Sequence, residues 1–232
     1  MNAISDNLVG KKKLEFFGKI TASISHELNN VLSIINEYSG LLDDLVFASE
    51  RGKPLDETKI QKIAQNISEQ IKRQRDIIKL LNKFAHRVDT PITKFNLNEL
   101  VNDITRLTQR FASLRKVNLV SSLPDDDITL TNNPFALQHI IFLLFDMALE
   151  VSNPNDNISI HFQNDESYVI IEIISPPVTQ ETMTGEKFDF LTNLSKNIHS
   201  ELTTSKTNNN LQLFKIYIPF SISQNTARRE ED

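Results

Sequence analysis

Apolar residues recur every seven positions in the first part of the chain: Phe17, Ile24, Val31, Tyr38 and Leu45 form one row, with Leu28, Ile35 and Leu42 four places behind. Ile34 and Leu41 widen the stripe. This period suits the turn of a helix and no strand, so it predicts one long amphipathic helix over residues 9–50. The segment Arg51-Gly-Lys-Pro-Leu-Asp56 breaks the pattern, with Asp56 placed to cap the next helix. A second seven-residue pattern runs through Ile60, Ile67, Leu81 and Val88, with Ile63, Ile71, Ile78 and Ala85 in the companion row, and Pro91 ends this helix near Val88. Two antiparallel helices cannot bury a two-sided stripe against each other alone. The expectation is a homodimer whose hairpins form a four-helix bundle, the alternative being a monomeric hairpin packed on the rest of the chain.

From residue 95 strands and helices alternate. Residues 95–97, 117–121, 157–163, 168–174 and 211–220 read as strands, with a turn at 164–167, and residues 98–115, Pro134–Val151 and 186–202 as helices. Such a mixture suggests an α/β sandwich, a sheet with helices on one face. The fold class is thus α plus α/β: a helical hairpin over 9–92, an α/β sandwich over 93–222, and a polar tail, 223–232, expected to be disordered.

Composition narrows the chemistry. The 232 residues include only five Gly, where average usage would give roughly sixteen. Four lie at or before Gly52, leaving Gly185 alone in the remainder. Loops that cradle phosphate need close backbone approach and positive φ, so this shortage argues against a glycine-rich nucleotide loop. The absence of Cys removes disulfides, thiolate catalysis and Cys-ligated zinc together. With neither an 18-residue apolar run nor a cleavable leader, the expectation is a soluble cytoplasmic protein that does not enter a membrane. A net charge of −5 argues against nucleic acid as a partner.

Chemistry concentrates in Ile24-Ser-His-Glu-Leu-Asn-Asn-Val31. His26 is two residues, about 200° of helical rotation, from both Ile24 and Leu28, so it points away from the apolar stripe. Glu27 is its neighbour in sequence and Asn30 lies one turn beyond on the same face. A titratable nucleophile, a possible general base and an amide therefore share an exposed ridge. An isolated His-Glu pair would more often be ordinary solvated helix surface.

The segment Ser25-His26-Glu27-Leu28-Asn29-Asn30 resembles the H-box of sensor histidine kinases, with Val31 in place of the usual proline. The resemblance continues through Phe95-Asn-Leu-Asn-Glu-Leu100, through Leu123-Pro124 and through Asn133-Pro134 with Leu137, and covers about residues 12–220. It implies a dimerisation and histidine phosphotransfer domain followed by a nucleotide-binding domain of the kinase and gyrase type. His26 would be the phospho-acceptor, Glu27 the residue that orients it or takes its proton, and Asn30 the residue that positions a water in phosphatase action.

The second half departs from that family where ATP would bind. The resemblance puts Asn at the positions of Leu143 and Met147, the latter being the magnesium ligand, and an adenine-recognising Asp near Ser175. Leu and Met offer magnesium no hard oxygen, although Asp146 could stand in if the alignment shifts by one residue. The glycine boxes are missing. A degenerate domain that binds no ATP and holds no cofactor or metal of its own is expected.

The leading reading is a histidine phosphotransfer protein of a two-component phosphorelay, exchanging a phosphoryl group between His26 and aspartates of response-regulator receiver domains, which supply the magnesium. Alternatives are a receiver phosphatase using Glu27 and Asn30, a non-catalytic pseudokinase scaffold and, with less support, an ATP-dependent histidine kinase. The basic residues Lys72, Arg73, Arg75, Lys79 and Lys83 either steer an acidic receiver or form a solvated face paired with Glu69 and Asp76. His86, His139, His161 and His199 have no metal-like spacing, and His139 reads as structural.

Overall fold

A computed structural model describes residues 3–164 and 167–221 of the chain. The chain divides into a helical unit, Gly18–Lys83, and a second unit that joins the residues up to Phe17 with those from Phe84 onward.

Helix α1, Ala3–Glu50, runs unbroken for 48 residues, starting earlier than the periodicity predicts. Its end is set by Gly52 at φ 86°: the Lys53 amide donates to the Ala48 carbonyl and the Gly52 amide to that of Ser49. This left-handed cap closes the last carbonyls and turns the chain back. Helix α2, Glu57–His86, starts at Asp56, whose carboxylate accepts from the Lys59 amide at 3.1 Å. Ile20, Ile24, Val31, Ile63, Ile77 and Leu80 are buried, while Ile71 and Ile78 of the second heptad pattern are exposed. That pattern therefore marks two faces of α2.

The second unit follows the order β1 Thr93–Asn96, α3 Leu97–Arg115, β2 Asn118–Ser122, β3 Thr129–Asn132, α4 Pro134–Val151, β4 Asn157–Asn164, β5 Tyr168–Ser175, α5 Gln180–Thr184, α6 Glu186–Asn197, β6 Glu201–Lys206 and β7 Gln212–Pro219. Five strands form one sheet in the order β2-β4-β5-β7-β6, in which β2 and β4 are parallel and the other pairs antiparallel. Strands β1 and β3 form a separate antiparallel pair. Side chains alternate across the sheet: Ile160, Ile171, Ile173, Phe214 and Ile216 are buried on one face. On the other, Glu172 pairs with Lys215. Helices α3, α4 and α6 pack against strands of this sheet, giving the expected α/β architecture.

Helix α4 is apolar nearly all round and is buried accordingly, as a core helix must be. By length and composition it could cross a membrane, with a mean hydropathy of 1.5, but 83% of that window is buried in the fold. This corrects the expectation that no such window exists. Its N-terminus is capped by the Asn133 side chain, which accepts from the Ala136 amide at 2.9 Å, and Pro134 opens the first turn.

The sequence pattern predicts none of β3, α5 and β6, and the last helix ends earlier than its pattern. The last helix stops at Asn197 instead of 202, and Leu202 lies in β6. The stop is a left-handed turn at His199, φ 54°, where the Ser200 amide reaches the Ser195 carbonyl at 3.0 Å. Lys116, φ 58°, ends α3 in the same way. A chain with so few glycines puts other residues in the position that glycine ordinarily marks, which conceals both β6 and the end of α6. Strand β3, four residues of mostly polar sequence, carries no strand signal of its own. The tail expected to be disordered, 223–232, lies outside the described residues.

Candidate functional site

In the helical unit His26 and Asn30 are exposed, while Glu27 is half-buried. Their common backbone is the continuous α1: Val31, completely buried, stands where a proline would remove a helical hydrogen bond and kink the chain. Arg73, on α2, reaches across to this ridge, its Nη2 donating to Glu27 Oε1 at 3.0 Å. The pairing fixes one oxygen of the carboxylate beside His26. It involves residues 46 positions apart, so no local spacing could reveal it, and it gives Arg73 a partner other than the Glu69 and Asp76 weighed for the basic face. Lys72, Arg75 and Lys79 belong to the same helix.

The second unit places the other three positions in its interior. Leu143 and Met147 are buried, Met147 completely. Ser175 is also fully buried, and its hydroxyl donates to the Pro176 carbonyl at 2.9 Å. Asp146, which could have supplied the missing oxygen, accepts from the Lys187 ammonium at 2.7 Å, and Glu150, one turn further, from the same ammonium at 2.8 Å. An internal cation thus sits between the two carboxylates of α4. Gly185, the one glycine after Gly52, has φ −85° and caps α6, so it forms no left-handed phosphate turn. The side chains at these positions do not fit a magnesium nucleotide: they present two apolar groups, a hydroxyl already engaged and a carboxylate held by lysine.

His139 is structural, as its sequence context implies. It is buried, with its ring stacked on Phe16 at 4.4 Å between centroids and inclined by 5°. Phe16 also contacts Phe84, Phe135 and Phe142, so one aromatic cluster joins the ends of the two long helices that belong to this unit to α4. Burying a ring of this size stabilises a fold by about 2–3 kcal/mol.

No family model matches the chain. The sensor protein FixL of Bradyrhizobium diazoefficiens is 27% identical over 152 residues, which is 65% of this chain and 29% of FixL. Two nucleotide-free structures of the catalytic domain of histidine kinase ThkA share the fold, with TM-scores of 0.52 and 0.51 at 18% and 17% sequence identity. Each match covers 58% of this chain and 100% of the ThkA domain. This chain is histidine kinase-like. It spans less than a third of FixL's length, so the activity of the whole sensor is not carried over with the likeness. The α/β unit of this histidine kinase-like chain keeps the architecture of the ThkA catalytic domain. Its side chains at Leu143, Met147 and Ser175 differ from those that the family resemblance implies there.

Proposed function

We propose that this histidine kinase-like chain is a cytoplasmic histidine phosphotransfer module, in which His26 receives a phosphoryl group from an aspartyl phosphate on one receiver domain and returns it to another. One observation carries the reading: His26 is exposed beside a carboxylate ordered by Arg73, while the positions that should hold a magnesium nucleotide are buried and mostly apolar. An imidazole nitrogen attacks phosphorus, the P–O bond to the aspartate breaks, and the aspartate leaves as a carboxylate. The proton on the other ring nitrogen passes to Glu27 or water. Positioning supplies most of the rate, and magnesium comes with the receiver's own acidic pocket. The α/β unit binds no ATP in this reading and serves as scaffold or receiver contact.

A homodimer belongs to the same proposal. Leu32, Leu41, Val46, Phe47, Ile71 and Ile78 of the helical unit are exposed apolar residues, and a four-helix bundle would cover such a surface. The cations of α2 suit an acidic receiver face.

The test is to mix the protein with a receiver bearing labelled phosphate. Label should appear on wild type and not on His26→Gln. Free phosphate that persists in His26→Gln and vanishes in Asn30→Ala would replace the relay with a phosphatase, and no change in either pool would leave a scaffold. Magnesium-dependent ATP binding in calorimetry would overturn the degenerate-site reading.

A further inference from the structure

Within the α/β unit a cavity of about 490 Å³ opens among Leu14 and Phe17 of α1, Val88 beyond α2, and Phe135 in the first turn of α4. Its walls are mostly apolar, and Leu14 and Val88 are 72% and 50% exposed. Two cations also line it, Lys13 and Arg87. Arg87 is nearly buried, with 11% of its side chain exposed; its Nη2 donates to Asp103 Oδ2 at 2.7 Å, and its Nη1 is buried with no hydrogen-bond partner. Asp103 balances the guanidinium charge, which leaves Lys13 and the N-terminal end of α4, whose cap Asn133 is on the wall, as the surplus positive potential. The size is that of a small-molecule site, apolar with a few polar groups.

We propose that this cavity binds a small amphipathic organic acid, its apolar body against Phe17, Val88 and Phe135 and its carboxylate toward Arg87 and Lys13. A single carboxylate suits these walls better than a phosphate, whose greater charge would lose more hydration against them. A buried guanidinium nitrogen lacking a partner costs stability. Arg87 Nη1 has no surface open to the cavity, so a carboxylate meets it only when the Arg87 side chain turns, while Lys13 lines the wall directly. Phe17 and Ala85 both line the cavity and flank the two points where the chain passes to and from the helical unit.

The experiment titrates the full chain with 3-phenylpropionate and, separately, with its neutral amide, by calorimetry and NMR. The acid should bind saturably with Kd on the order of millimolar. The amide should bind at least about tenfold more weakly. Val88→Trp, at a half-exposed position, should fill the cavity and weaken the acid by at least about tenfold while circular dichroism and the unfolding midpoint stay at wild-type values. Arg87→Lys keeps a cation for Asp103 and should also weaken binding. Absence of saturable binding, equal affinity for the amide, equally effective competition by inorganic phosphate, or indifference to Val88→Trp in the folded variant would each overturn the proposal.

Discussion

The ridge around His26 and the interior around Met147 show two fates of polar chemistry on one histidine kinase-like scaffold. On the ridge, His26 and Asn30 remain in contact with solvent and Glu27 is held by a cross-helix arginine. In the interior, α4 packs Leu143 and Met147 into the core, and at the margin of that core its carboxylates Asp146 and Glu150 pair with Lys187. The two regions differ in what holds their side chains: solvent and one cross-helix ion pair on the ridge, close apolar packing around Met147. The sheet and its helices are stabilised by apolar burial, to which Leu143 and Met147 contribute. An exposed ridge gains little stability from a histidine, so folding energetics do not account for the arrangement there.

The largest effect separates the two regions outright. His26→Gln should abolish transfer of label from a phosphorylated receiver, yet change unfolding free energy by less than about 0.5 kcal/mol, because the position is exposed. Gel autoradiography with parallel urea denaturation checks both halves. The interior should respond in the opposite sense. Met147→Asn places an amide where Met147 is fully buried, losing apolar contact and stranding polar atoms, at about 3 kcal/mol in urea denaturation and with no gain of ATP binding. Wild-type stability together with magnesium-dependent nucleotide binding in this variant would dissolve the contrast.

Much of this is legible in the sequence, for reasons that differ by residue. The seven-residue rows foretell both long helices, and the 24–28 spacing puts His26 outside, because helical geometry alone decides which face a residue joins. Pro134 and Asn133 announce α4 through local capping chemistry. Where local chemistry is silent, the sequence misleads. His199 ends α6 in a conformation that glycine usually advertises, so the helical pattern reads on into β6. Arg73 and Lys187 find partners 46 and 37 residues away, and such pairings follow from the packed fold and not from spacing. The exposure of Ile71 and Ile78 is likewise invisible in the pattern, since Ile63 of their own row is buried while Ile77, Leu80 and Phe84, which belong to neither row, supply the rest of the buried face of α2.

Those exposed residues provide the next test. Ile71→Glu combined with Leu41→Glu should convert a dimer into a monomer in sedimentation velocity, raising the dimer dissociation constant by at least about a hundredfold, since each buried carboxylate lacks a partner. Both side chains are exposed in the single chain, so its own fold should tolerate the change. A wild type that sediments as a monomer would remove the four-helix bundle from the proposed function and leave the His26 chemistry to be judged by the receiver assay.

The smallest effects compare one ion pair from each region. Arg73–Glu27 is partly solvated, with side chains 53% and 28% exposed, and Arg73→Ala should cost less than about 1 kcal/mol. Lys215–Glu172 on the sheet is shorter, at 2.6 Å, and more enclosed, at 28% and 10%. Hydrogen bonding to Glu172 raises the Lys215 pKa above its ordinary 10.5. A raised folded pKa means that the native state holds the proton more tightly. The stability it contributes is therefore fully present below pH 10.5 and is lost as pH climbs through the higher folded value. Urea midpoints of wild type and Lys215→Met should differ by a constant amount at neutral pH and converge in strongly alkaline solution. The difference between wild type and Arg73→Ala should stay flat over the same range, because a guanidinium does not titrate there. Convergence of the arginine pair, or none for the lysine pair, would show that the electrostatic contrast between ridge and sheet had been assigned the wrong way round.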